Sequence, residues 1–165
     1  MNKSAFQKIV DWKVKNQFLT SQISSLEKLK GFPIMGTSAF LLKAQLVEFE
    51  LKQLISSLDL HAHFTHQFWW KRKKARTPVQ LDKQKLTLGG LKKEIEKYKF
   101  EFLKDLNSHL IKLVELRNEF VHALFNLGGI KDLIVKSERG LSSANKVMQD
   151  IRKIDNYLEK NDPLK

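Results

Sequence analysis

The sequence predicts an all-α fold. Apolar residues recur at alternating spacings of three and four along most of the chain, which places them on one face of a helix. Only three prolines and seven glycines interrupt the 165 residues, and no segment alternates apolar and polar residues for long enough to indicate a β-sheet. We therefore expect an up-and-down bundle of four to five helices, in a single domain over residues 1–165 that is large enough to bury a core.

The first half of the chain predicts two long helices and a loop. A helix over residues 3–29, within a possible accessory segment 1–30, is ended by Gly31-Phe32-Pro33, because a residue before proline disfavours helical backbone. A second helix over about 38–59 begins with Thr37 or Ser38 as its cap and could continue to Phe68. Thr77-Pro78 argues against helix in the next stretch, so we expect residues 71–86 to form a basic loop over the bundle.

The second half predicts three further helical segments. Thr87 is expected to cap a helix that runs to Tyr98, with a break near Phe100 before a long helix that ends at Phe125. The last helix covers about 130–160. Gly140 lies inside it and is expected to weaken or kink it, at a cost of about 1 kcal/mol relative to alanine.

The helix over 103–125 has the most regular apolar face, and an arginine interrupts that face. Arg117 keeps its charge in a protein, so on a packed face it needs a partner, a substrate anion or a wet interface. His122 follows five residues later and can exchange a proton near neutral pH, and Asn118 lies between them. These three residues are the candidate catalytic group. The seven positions of the face are Leu103, Leu106, Leu110, Leu113, Arg117, Phe120 and Leu124.

The positive charge is concentrated in one part of the chain. The formal net charge is +12, and residues 71–100 hold eleven lysines and arginines against three acidic residues. Such a segment favours a polyanion such as RNA, and rings beside cations suit a single strand, because bases stack on the rings. The alternative is a solvated loop whose lysines only aid solubility. The candidate nucleic-acid-binding residues are Trp69, Trp70, Lys71, Arg72, Lys73, Lys74 and Arg76.

The composition argues against several other classes of function. The absence of cysteine excludes disulfides, thiolate zinc sites and a cysteine nucleophile. His61, His63 and His66 lie close together, but the first two point about 200° apart on a helix and no carboxylate is adjacent, so we expect no metal site and no cofactor. The start of the chain lacks the apolar core of a secretory signal, and the most apolar stretch, residues 32–42, is too short to span a membrane. We expect a cytoplasmic protein without a membrane partner.

Two motifs resemble the HEPN superfamily (higher eukaryotes and prokaryotes nucleotide-binding domain). Its signature is an arginine, a polar residue and then a histidine with four to six residues between arginine and histidine, and Arg117-Asn118-Glu119-Phe120-Val121-His122 has four. Thr87-Leu88-Gly89-Gly90-Leu91 is similar to the Thr-Leu-Gly-x-Leu helix start of several bacterial branches. The resemblance covers residues 35–160.

The resemblance implies a metal-independent endoribonuclease that cleaves single-stranded RNA at the interface of a symmetric homodimer. The ribose 2′-OH would attack the adjacent phosphate and leave a 2′,3′-cyclic phosphate and a 5′-OH. His122 would be the general base or acid, Arg117 would stabilise charge on the phosphate, and Asn118 would orient the phosphate or His122. It further implies a toxin or phage-defence effector, with a possible antitoxin protein as partner.

The spacing of Arg117 and His122 leaves alternatives open. Five residues rotate about 500° on an ideal helix, so the two side chains project about 140° apart. Either the helix loosens near His122, or one site takes its arginine and histidine from two chains. Arg117 could instead pair with Glu115 or Glu119, or with a carboxylate on another helix, and His122 could be a hydrogen-bonded core residue. The protein would then be a non-catalytic nucleic-acid-binding protein, or an assembly module that binds another protein through its tryptophans and first helix.

Overall fold

The computed structural model describes residues 14, 17–25, 33–64, 76–83, 85–125 and 130–161. Residues 17–25 are helical, and no β-strand occurs in any of these ranges, so the all-α prediction is confirmed for them. The helices with defined bounds in these ranges are α1 (Pro33–Phe64), α2 (Pro78–Lys83), α3 (Leu88–Ile95), α4 (Lys104–Phe125) and α5 (Ile130–Lys160). A 3-10 helix, Glu101–Leu103, directly precedes α4.

The three long helices run up, down and up. Phe40 near the start of α1 packs edge-on against Phe120 near the end of α4, with ring centroids 5.2 Å apart. The ring of Phe102, just before α4, contacts the ring of Tyr157 near the end of α5, with ring centroids 4.7 Å apart. Thus α4 is antiparallel to both of its neighbours, and α1 is parallel to α5. The short helices α2 and α3 pack on α1, and α3 also contacts α4.

One continuous apolar core lies between these helices. The apolar face predicted for residues 103–125 is buried: five of its six apolar side chains are fully inaccessible, and the side chain of Leu124 lies outside the described residues. The inward face predicted for α5 is also observed, from Ala144 to Leu158. Further fully buried side chains come from α1, α2 and α3, namely Val47, Leu51, Leu54, Ile55, Leu58, Leu81, Leu91 and Ile95.

Gly140 has a packing role that the sequence analysis did not give it. A Cβ atom at this position would lie 2.5–2.6 Å from three ring carbons of Phe40. The Phe40 ring is fully buried and packed against Phe120, so it has little room to move. α5 remains helical through residue 140. The glycine is therefore needed where α1 crosses α5, because only hydrogen leaves room for the ring.

Two predicted boundaries are corrected. Helix α1 begins at Pro33 instead of residue 38, because proline suits the first turn of a helix, where its missing N–H is not needed. Helix α2 occupies part of the predicted basic loop 71–86 for the same reason: Pro78 is its first residue. The Gln80 N–H donates to Thr77 Oγ1 at 3.3 Å, and the Thr77 N–H donates to Gln80 Oε1 at 2.8 Å. This reciprocal pair is a capping box.

Other boundaries agree with the predictions, except that α3 ends at Ile95 and not at Tyr98. The break near Phe100 is present: this residue has extended backbone (φ −82°, ψ 132°) between α3 and the 3-10 helix. The last helix has the expected extent. Of the helix predicted over 3–29, residues 14 and 17–25 are described and helical. Ile23 is buried in the core there, whereas Phe18 is 63% exposed.

Candidate active site on helix α4

Arg117 and His122 lie on different sides of a regular helix. Helix α4 continues without interruption from Lys104 to Phe125, so the loosening considered near His122 is absent. Arg117 is partly buried, whereas Asn118 and His122 are exposed. With the 140° divergence of an ideal helix, one chain does not direct Arg117 and His122 at the same phosphate. Asn118 and His122 lie closer together, about 40° apart around the helix axis.

Arg117 makes no ion pair with the carboxylates that the structure describes. Glu115 and Glu119, its neighbours on α4, form no salt bridge with it, and no described side chain accepts a hydrogen bond from its guanidinium. The pairing considered from the sequence is therefore not found in this part of the chain. A partly buried guanidinium that forms no ion pair with the described carboxylates remains able to bind an anion.

Glu48 on α1 is a carboxylate whose pKa is affected by the charge of Arg117. Its Oε1 accepts the backbone N–H of Leu88, the first residue of α3, at 2.9 Å. Burial raises the pKa of Glu48, while the Leu88 N–H and the positive charges of Lys52 and Arg117 act in the opposite direction. Arg117 is thus close enough to attract Glu48 without forming an ion pair with it.

The start of α3 is capped by Glu48 and not by Thr87. Thr87 occupies the N-cap position with extended backbone, but its side chain makes no capping hydrogen bond. The predicted cap is corrected accordingly: a carboxylate forty residues earlier accepts the first free N–H of the helix, which also suits the positive end of the helix dipole. A Cβ atom on Gly89 would lie 3.9 Å from Val114 Cγ1, so this helix start faces α4 one turn before Arg117.

Arg76 is held inside the fold. Its side chain is 13% exposed, and its Nε and Nη1 atoms contact Asp59 and Glu94 at 2.6 and 2.7 Å. Its Nη2 also lies 3.2 Å from the Tyr98 hydroxyl, which donates a hydrogen bond to Asp59. Most guanidinium donors are therefore occupied, and we leave Arg76 out of the proposed RNA-contact set. Trp69, Trp70 and Lys71–Lys74 lie outside the described residues.

The same network sets the charge of two of its members. Burial alone raises the pKa of Glu94, but hydrogen bonds and charges from Lys97 and Arg76 outweigh it and lower the pKa to about 2. Burial and the hydrogen bond to Asp59 raise the pKa of Tyr98, so this hydroxyl stays protonated as a donor. At neutral pH, Glu94 is therefore ionised and the Tyr98 hydroxyl is neutral.

Two further carboxylates on α5 have environments that the sequence analysis missed. Asp150 Oδ2 lies 2.5 Å from His109 Nδ1 on α4, and its side chain is 8% exposed. Burial and the negative charges of Glu50 and Glu159 together raise the pKa of Asp155 to about 6. For Asp150 a signal existed: it falls at a position of the apolar face of α5, where a carboxylate needs a partner.

The histidines near residue 61 do not show a metal site in the described residues. The His61 ring packs edge-on against Phe100, with centroids 5.7 Å apart, and His63 and His66 have no described side chains. No group of three or more potential metal ligands occurs in the part of the chain that the structure describes. None of the described helices is long and apolar enough to cross a membrane.

The chain matches no family model, no curated protein and no solved structure.

Proposed function

We propose that the protein is a metal-independent endoribonuclease that cleaves single-stranded RNA, the activity implied by its resemblance to the HEPN superfamily. The observation that supports this proposal is the state of Arg117. Its guanidinium interrupts an otherwise buried apolar face, is partly buried, and has no carboxylate partner among the described residues. Because no described carboxylate forms an ion pair with this guanidinium, its donors can form two parallel hydrogen bonds with a phosphate group.

The reaction needs only the side chains present and the RNA itself. His122 is exposed and can remove the proton from the 2′-OH, whose oxygen then bonds to phosphorus as the bond from phosphorus to the 5′-oxygen breaks. A proton must reach the leaving 5′-oxygen, which a protonated imidazole can supply. The products are a 2′,3′-cyclic phosphate and a 5′-OH, and Arg117 stabilises the added charge on the phosphate. Asn118 is exposed beside His122 and can orient the phosphate.

A homodimer explains why Arg117 and His122 diverge on one helix. In the proposed assembly, Arg117 of one subunit and His122 of the other act on the same phosphate, so a monomer is inactive. A role as a toxin or phage-defence effector in the cytoplasm, with a possible antitoxin partner, belongs to this proposal.

Cleavage of single-stranded RNA in EDTA tests the assignment. We expect activity from the wild type and none from Arg117→Ala or His122→Ala. Mixing the two inactive variants with subunit exchange should restore about one quarter of wild-type activity, because half of the dimers are mixed and each then has one intact site. Equal cleavage by all three proteins would exclude this assignment, and a mixture that stays inactive would exclude the two-chain site.

The second candidate is a non-catalytic nucleic-acid-binding protein. The observation that favours it is the net +8 charge of residues 71–100, where Lys85, Lys93 and Lys99 are exposed. In that case affinity falls steeply with salt. Neutralising Lys71, Arg72, Lys73 and Lys74 should then abolish binding, and His122→Ala should leave it unchanged.

A further inference from the structure

A row of four aromatic rings lies at the end of the bundle where α4 begins. Tyr98, Phe100 and Phe102 alternate with other residues along the connection from α3 to α4. Their rings stack nearly parallel, with centroids 6.3 Å apart for the first pair and 5.0 Å apart for the second. Tyr157 on α5 continues the row, with its ring centroid 4.7 Å from that of Phe102. Tyr98 is 6% exposed and Tyr157 is 43% exposed, so the row leads from the core to the surface.

The buried end of this row is held in place by other contacts. The Tyr98 hydroxyl donates a hydrogen bond to Asp59, and the His61 ring packs edge-on against Phe100 with centroids 5.7 Å apart. The exposed end is supported in turn by the stack behind it. A flat ligand that binds to a ring already held in position costs little further conformational entropy. Tyr157 therefore offers a preorganised aromatic surface.

The charges around Tyr157 are separated between two sides of α5. Lys153 and Lys160 lie four residues before and three residues after Tyr157, so they share its side of the helix. Lys160 is exposed, and the Lys153 side chain is 76% exposed. Asp155 and Glu159 each lie two residues from Tyr157 and project about 160° away from it. An aromatic surface with cations beside it suits a nucleotide, because the base stacks on the ring while the cations hold the phosphates.

We propose that Tyr157, supported by Phe102, is a stacking site for an unpaired base of single-stranded RNA, with Lys153 and Lys160 as contacts to the adjacent phosphates. The inference rests on the proposed function in taking RNA as the ligand, and it does not require cleavage. Phe102 precedes Arg117 by fifteen residues, or roughly 22 Å along the helix axis. Within one chain, this site therefore binds a nucleotide other than the one that is cleaved.

Binding of a short, fluorescein-labelled 2′-O-methyl RNA, measured by fluorescence anisotropy, tests the site, since this RNA lacks the 2′-OH that cleavage needs. Tyr157→Ala should weaken binding about tenfold. Tyr157→Phe should bind as the wild type does, because stacking needs the ring and not the hydroxyl, and Tyr157→Leu should bind as weakly as Tyr157→Ala. Val135→Ala is the matched control, because Val135 is 44% exposed on the same helix and lies roughly 33 Å from Tyr157 along it. Circular dichroism checks that each variant is folded.

The salt dependence separates the phosphate contacts from the stacking. Lys153→Gln should reduce the slope of log affinity against log salt concentration by about 0.7, the value for one phosphate contact of a single strand. Tyr157→Ala should leave this slope unchanged.

Three results overturn the stacking site even if the wild type cleaves RNA: no binding by the wild type, equal binding by Tyr157→Ala and the wild type, or an equal loss in Val135→Ala. Wild-type affinity in Tyr157→Leu also overturns it, because a general apolar contact, such as a protein partner needs, would then be sufficient. If the variants bind as expected and the wild type cleaves no RNA, the stacking site stands and the ribonuclease function is excluded.

Discussion

Gly140→Ala provides the sharpest test of the packing between α1 and α5. Glycine to alanine inside a helix normally stabilises by about 1 kcal/mol. Here the added Cβ would lie 2.5–2.6 Å from three ring carbons of Phe40, and overpacking of a core costs about 1–3 kcal/mol. The Phe40 ring is fully buried and packed against Phe120, so we expect an overpacking cost of about 3 kcal/mol, the upper end of this range. After the gain in helix propensity is subtracted, the net loss of stability is about 2 kcal/mol. For a chain of this length the unfolding midpoint falls by roughly 4–8 °C.

Thermal and urea unfolding followed by circular dichroism measure this effect. Gly89→Ala is the control, because its Cβ would meet only Val114 at 3.9 Å, an ordinary contact, and its stability should change by less than about 1 kcal/mol. Combining Gly140→Ala with Phe40→Leu should cost less than the sum of the two single changes, since the smaller side chain relieves the clash. A Gly140→Ala protein as stable as the wild type would refute the reasoning.

Three further predictions concern charged groups. Asp59→Asn should lower the free energy of unfolding by about 3 kcal/mol in urea titrations, because it removes the more deeply buried of the two carboxylates that bind Arg76; a change below about 1 kcal/mol would contradict this. Glu48→Ala should lower the free energy of unfolding by about 1 kcal/mol, because the Leu88 N–H loses its acceptor. Glu48→Gln should leave the free energy of unfolding unchanged, because the glutamine Oε1 can still accept this N–H. Equal losses in both variants would show that the charge of Glu48, and not its hydrogen bond, stabilises the fold. Asp155 has a folded-state pKa raised to about 6, so its contribution to stability is fully present below its ordinary pKa and is lost as pH rises to about 6. Asp155→Asn should therefore raise the unfolding midpoint at pH 7 and change it much less near pH 4, and a gain of equal size at both pH values would contradict the raised pKa.

Hydrophobic periodicity was sufficient to predict the long helices. The spacing of apolar residues predicts the buried face of residues 103–125 and the extent of α5, because burial of these side chains stabilises the helices. It also predicts the break at Phe100. The same periodicity identified Arg117 as an exception on that face. Its position on that face could be predicted because it depends only on the residue spacing within one helix, α4.

The features that differ from the sequence predictions are the start of α2 and two contacts between distant segments. Thr77-Pro78 argues against helix before it, but proline at the first helical position and glutamine three residues after threonine together indicate a helix start. Glu48 capping Leu88 and Asp59 binding Arg76 could not be predicted in the same way. Each joins residues that are distant in sequence, and the partner depends on which helix faces meet.

The capping of α3 has a consequence for the local stability of this helix. α3 has eight residues, too few for a stable isolated helix in water. Its first N–H is bound by Glu48, and Glu94 in its last turn is bound by Arg76, so both ends depend on groups from outside the helix. α3 is therefore stable only when it is packed on the rest of the bundle, and its amide protons should exchange with solvent at least as fast as those in the buried part of α1.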